Sequence, residues 1–198
     1  MASDTREQLL DNAEALFAER GFYGASIAAI ANELGLTKQA LLHHFGSKEK
    51  LYGEVLKRIS VRFDDLSKGE ELAAFDPIAS LQAYLLQLHN PTTLSPNATR
   101  LLMRELLDNK RRVDTAGTWY LKAFLEGLIA KVKAIPNWHN ATDAEALAVV
   151  YQLLGAINYY GVSTPTLTGI FGEDGYAALD QAFPKQLKRL INAALTAR

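Results

Sequence analysis

The stretch Ser26–Lys50, SIAAIANELGLTKQALLHHFGSKEK, holds the side chains whose spacing could do chemistry. Lys38 and Leu42 stand four residues apart, and so do Gln39 and His43. Residues four apart share a face when the chain is helical. That face joins a cation, an amide, an imidazole and one apolar group. Such groups let a helix read base edges in the DNA major groove. Leu41 and Phe45 repeat at the same interval on the inward side, which predicts one buried flank and one presented flank.

Three elements must hold that face in place. Ser26 is suited to cap a helix by accepting a backbone N–H. Ile27, Ile30, Ala31 and Leu34 then give it one apolar side. Gly35 falls where the helix would end in a left-handed residue. Thr37 can cap the second helix, and Ser47 a further one starting at Lys48. Upstream, Asp4 and Glu7 have the spacing of a capping pair. Leu9, Leu10, Ala13, Leu16 and Phe17 form a stripe that Gly21 ends. Phe22 and Tyr23 are expected to fill the corner, and Phe17, Ile30, Leu41 and Phe45 to share one small core.

The segment resembles the helix-turn-helix of the tetracycline-repressor (TetR) family in Ile30-Ala31, Gly35, Ala40-Leu41, His44-Phe45 and Lys48. Leu42 departs from the pattern, which often has a tyrosine there whose hydroxyl reaches a phosphate; His43 could substitute. The resemblance implies an all-α fold of about nine helices. An N-terminal three-helix helix-turn-helix domain, 1–48, extends to about 63 with its connecting helix. A C-terminal effector-binding and dimerisation domain, 49–198, follows. Lys38, Gln39, Leu42 and His43 are the candidates for base reading, and Ser26, Thr37, His44 and Lys48 for phosphate positioning. The expected partners are a double-stranded DNA operator, a small-molecule effector and a second copy of the chain.

Composition limits the other classes. The chain has 198 residues, 48% apolar and 22% charged, enough for a real core. There is no cysteine, hence no disulfide or thiolate metal site. No Gly-rich phosphate loop, G-x-S-x-G elbow or H-E-x-x-H motif occurs. None of the four histidines follows a glutamate by three residues, and His43 and His44 would not grip one metal. We therefore expect no enzyme, no cofactor and no metal. The net charge is −1, so any field that attracts phosphate must be local, around Lys38, Lys48, Lys50 and the two histidines. MASDTREQLL does not read as a secretion signal. Without one, Asn97-Ala-Thr99 and Asn140-Ala-Thr142 are coincidental glycosylation strings. A cytoplasmic, nucleoid-associated location is expected.

Beyond the head, Leu51, Val55, Ile59, Phe63 and Leu66 predict a long helix, with Lys57, Arg58 and Arg62 as its solvated face. Asp64 to Ala74 reads as a frayed end and loop. Asp76-Pro77 is a cap with proline at the first helical position, opening a helix to about His89. Its apolar side is Ile78, Leu81, Leu85 and Leu88. A turn over Asn90–Pro96 precedes a helix over Asn97–Asn109 and the basic corner Lys110-Arg111-Arg112. A long apolar helix over Asp114–Ile135 stops at Pro136. Thr142 and Glu145 form a capping box for a helix to about Tyr160. That helix approaches membrane length, but Gln152, Asn158 and its tyrosines favour burial in protein.

Gly161 to Gly175 reads as a loop, and the last helix covers Pro184–Ala197. His89, Met103, Trp119, Tyr120, Phe124, Tyr151, Asn158 and Tyr159 are the candidates for an effector pocket with apolar walls and a few polar groups. Two such apolar helices in one chain predict a twofold dimer. Ala146–Tyr160 and Pro184–Ala197 of each copy would supply the interface through Val150, Leu154, Ile157, Leu187, Leu190 and Ile191. The combined reading is a ligand-responsive repressor that binds a palindromic operator as a dimer. The alternative is an all-α carrier or enzyme with an incidental helix-turn-helix.

Overall fold

The computed structural model describes residues 2–68, 76–108 and 120–197. They hold eight α-helices and, among the described residues, no strand. In order these are α1 (Ala2–Gly24), α2 (Ile27–Asn32), α3 (Lys38–Phe45), α4 (Lys48–Lys68), α5 (Pro77–His89), α6 (Pro96–Asp108), α7 (Tyr120–Lys133) and α8 (Asp143–Thr196), with a 3-10 turn at Pro136–Trp138 before α8. The non-helical backbone at Gly172 divides α8 into two rods. Eight helices stand close to the nine or so anticipated. Residues 69–75 and 109–119 lie outside the described residues. The expected loop before Ala74, the basic corner Lys110-Arg111-Arg112 and Trp119 therefore lie partly or wholly outside them, as does the side chain of Tyr120.

The chain divides into two compact units. The first takes α1, α2, α3, α4 up to Val61, and α6 from Asn97. Its core is Leu9, Leu10, Ala13, Leu16 and Phe17 of α1, Ile30 and Ala31 of α2, Leu41 and Phe45 of α3, and Leu51, Val55 and Ile59 of α4, all buried. Each large apolar side chain so buried contributes roughly 1.5–3 kcal/mol. α1 leaves helical geometry at Gly21, as the sequence predicts. It starts at Ala2, however, so Asp4 lies within the helix and not at its N-cap position.

Three polar ties in this unit escaped the sequence reading. Arg58 is not part of a solvated face. Its guanidinium donates to Asp11 and Glu14 at 2.7 Å each and lies 3.6 Å from Glu7, binding α4 to α1. Burial pulls the Arg58 pKa down, but the Glu14 and Asp11 contacts outweigh it, and the net shift is upward. α6, expected in the C-terminal domain, belongs with the head. Arg104 donates to the carbonyls of Ala18 and Glu19 at 2.8 and 2.7 Å, tying α6 to the last turns of α1 before Gly21. The Tyr52 hydroxyl donates to Glu105 at 2.6 Å.

The second unit begins at Arg62 and includes the end of α4, α5, α7 and α8. Asp76 caps α5 by accepting from Ile78 and Ala79, Pro77 is its first residue, and His89 its last, all as predicted. Thr142 and Glu145 form the expected capping box. Phe63 stacks on Phe124 with centroids 4.3 Å apart. Gln82 donates to Asn192 at 2.6 Å, and Trp138 Nε1 donates to the Leu195 carbonyl at 2.9 Å, closing the end of α8.

The loop expected over Gly161–Gly175 is a correction. α8 continues through Tyr160 and Pro165, breaks only at Gly172 (φ 73, ψ 173), and resumes well before Pro184. An interior proline costs about 3 kcal/mol. Contacts across Gly172 offset it. Tyr160 donates to Asp180 at 2.8 Å, Thr164 and Tyr176 hydroxyls meet at 2.9 Å, and Tyr160 stacks on Phe183 at 3.7 Å. No local signal announces these pairs, because their members are 12 to 23 residues apart. Gly172→Ala should lower unfolding stability by about 1–3 kcal/mol, since only glycine adopts this backbone readily. Gly169→Ala, at a helical position with open space around it, should be neutral or stabilising. Urea midpoints of the two variants check the contrast.

Candidate nucleic-acid interface

Local hydrogen bonding builds the segment from Ser26 to Lys50. Ser26 has extended backbone, and its Oγ accepts from Ala29 N–H at 3.0 Å, starting α2. α2 ends at Asn32, shorter than its apolar pattern suggested, and Leu34 falls in the turn. Gly35 has φ +66 with nothing within 4 Å of a would-be Cβ, so conformation and not space selects glycine there. Thr37 Oγ1 accepts from Ala40 N–H at 3.1 Å, starting α3. Gly46 closes α3 with φ +78, and Ser47 Oγ accepts from Lys50 N–H at 3.2 Å to open α4.

α3 divides by face as its pattern predicts. Leu41 and Phe45 are buried. Lys38, Gln39, His43 and His44 are exposed, and Leu42 is half-buried. Ser26 and Thr37 are exposed as well. Their oxygens accept the capping N–H, which leaves each O–H free to donate outward. The His43 and His44 rings lie 6.0 Å apart at 68°, an arrangement unsuited to chelation. No group of metal-binding side chains occurs among the described residues.

Two cations stand over aromatic rings of this unit. The Arg6 guanidinium lies 5.0 Å from the Phe45 centroid and donates to Glu54 at 2.9 Å. The Lys48 ammonium stands 4.7 Å from the Phe22 centroid. Burial lowers the Lys48 pKa, and adjacent Glu49 opposes the shift. Glu49 is itself held below the usual carboxylate range, chiefly by hydrogen bonds from its own backbone N–H and from Ser47. A fixed negative charge therefore sits beside Lys48.

The C-terminal candidates fare differently. Tyr151 is 48% and Tyr159 74% exposed, so neither lines an interior pocket. Asn158 is half-buried, and Phe124 is engaged with Phe63. Met103 belongs to the first unit, whereas His89, Phe124, Tyr151, Asn158 and Tyr159 belong to the second. His89 lies 5.3 Å from Tyr160 and 4.9 Å from Phe183. Burial lowers its pKa against the pull of Asp180. Burial and the bond to Asp180 push the Tyr160 phenol upward, so it stays a donor. Tyr160, Tyr176, Asp180 and Phe183 were missed as a cluster because the stretch joining them reads as a loop.

The expected dimer contacts also need correction. Val150, Ile157, Leu187 and Ile191 are buried within the chain itself, because α8 packs on α5 and α7. Of the six, Leu154 is half-buried and Leu190 is 45% exposed. The apolar groups that α8 leaves outside are Tyr151, Tyr159, Ile170, Phe171 and Leu190.

A short helix buried on one side and polar on the other has the geometry of a major-groove reader. The family model for bacterial regulatory proteins of the tetR type matches residues 9–55. The repressor KstR2 of Rhodococcus jostii is 35% identical over 107 residues, 52% of this chain and 51% of that one. The regulator RutR of Escherichia coli is 25% identical over 171 residues, 86% of this chain and 80% of that one. A TetR-like regulator from Rhodococcus matches in structure with a TM-score of 0.65 at 20% identity, covering 98% of this chain and 97% of that one. The chain spans about half the length of the first curated relatives it matches. Residues 9–55 thus match the tetR-type regulatory domain, and the chain shares the fold of TetR-like regulators.

Thr37→Ala should remove the cap of α3 and cost about 1 kcal/mol, while Thr37→Ser should retain most of it. Chemical denaturation of both variants measures the difference.

Proposed function

We propose that this chain is a ligand-responsive transcriptional repressor that binds a palindromic operator as a dimer and catalyses no reaction. The observation that carries the reading is the outer face of α3, where Lys38, Gln39 and His43 are exposed beside buried Leu41 and Phe45. A short helix anchored on one side and polar on the other can enter a major groove. Lys38, Gln39, Leu42 and His43 read bases. Ser26, Thr37, His44 and Lys48 hold phosphates and set register. The second copy covers the apolar groups that α8 leaves outside, with Leu154 and Leu190 from the expected set.

The effector binds in the second unit, where His89, Phe124 and Asn158 remain the candidates. It acts by favouring one arrangement of two heads over another, which requires different affinities for the two arrangements. No helix among the described residues is long and apolar enough to cross a membrane. Action on DNA places the protein in the cytoplasm, at the nucleoid.

Recovery of bound genomic fragments, followed by gel shifts on operator variants at several salt concentrations, tests the reading. Lys48→Ala should weaken binding to every sequence and flatten the log–log salt slope by about 1 per head. Gln39→Ala should change preference at one base pair by about 1–3 kcal/mol and leave the slope in place. Equal losses on all sequences for both variants would remove the division of roles.

A further inference from the structure

Tyr23 was expected to fill the corner between α1 and α2, yet it is 58% exposed. Its ring is fixed all the same. It meets the Phe22 ring edge-on, with centroids 5.2 Å apart at 86°. Phe22 is in turn held by Phe17 at 6.2 Å and Tyr52 at 5.1 Å, and Tyr52 is tied to Glu105. The Lys48 ammonium stands 4.7 Å from the same Phe22 ring. One rigid ring thus supports a phenol and an ammonium, each partly open to water. Among the described residues, the Tyr23 hydroxyl makes no hydrogen bond.

A tyrosine held by its apolar body and open at its polar tip is suited to an interface with one wet side. We propose that Tyr23 contacts the DNA backbone, its O–H donating to a phosphate oxygen beside the one that Lys48 neutralises. The inference rests on the DNA-binding reading above. The contact transfers no proton and reads no base. It fixes where the α1–α2 corner sits on the strand, and through the shared Phe22 ring it sets the position of Lys48. A neutral donor releases no condensed counterion, so its loss should leave the salt dependence in place.

The test is fluorescence anisotropy with a labelled mixed-sequence duplex, long enough for two half-sites, titrated at low and moderate salt. Tyr23→Phe keeps the ring and removes only the hydroxyl. It should weaken binding by about 10- to 100-fold, the scale of a hydrogen bond to a charged group. The salt slope and the thermal midpoint should match those of the wild type. Lys48→Gln in the same assay should flatten the slope by about 0.9 per head. Tyr23→Phe binding within about twofold of wild type overturns the proposal. So does a loss of affinity accompanied by a lowered thermal midpoint. Wild-type protein that fails to bind even at low salt overturns the DNA-binding reading itself, and this inference with it.

Discussion

The burial of Leu41 and Phe45 governs the head of this protein. α3 is eight residues long, too short to persist in water alone. Its caps supply hydrogen bonds at both ends, but only packing fixes its rotation. Once those two side chains are buried, helical geometry leaves Lys38, Gln39, His43 and His44 no position except outside. The polar face is therefore a consequence of the apolar one, and whatever supports Phe45 from behind, Arg6 and Glu54 among it, also orients the outward side chains.

Polar ties in the same unit play a second part. Glu14 is buried and matched by Arg58, which also reaches Asp11 and Glu7. A buried ion pair returns little net stability, yet removing one partner alone costs about 3–5 kcal/mol. The network thus penalises sliding of α4 along α1 more than it strengthens their association. Arg104 works similarly at the end of α1. It donates to two α1 carbonyls and so holds α6 against the helix that leads into Gly21.

In the second unit, an aromatic pair across a glycine break decides the course of the chain. Tyr160 and Phe183 stack at 3.7 Å, and Tyr160 also donates to Asp180. These contacts keep the residues around Pro165 helical despite a missing N–H. They also pack both rods of α8 so that Val150, Ile157, Leu187 and Ile191 face inward. Apolar character alone does not reveal which side of α8 meets the rest of the chain.

The sequence by itself determined what depends on groups a few residues apart. The caps Ser26, Thr37, Asp76 and Thr142, the stop at His89 and the two-sided pattern of α3 were all legible, because a capping bond or a helical face joins positions within one turn. The tertiary structure decided what depends on distant partners. Arg58 turned from a solvated cation into the centre of a network, α6 joined the head, Tyr23 stood outside its corner, and a proline–glycine stretch stayed helical. Each outcome is settled by what packs against the residue, and a local pattern carries no record of that neighbour.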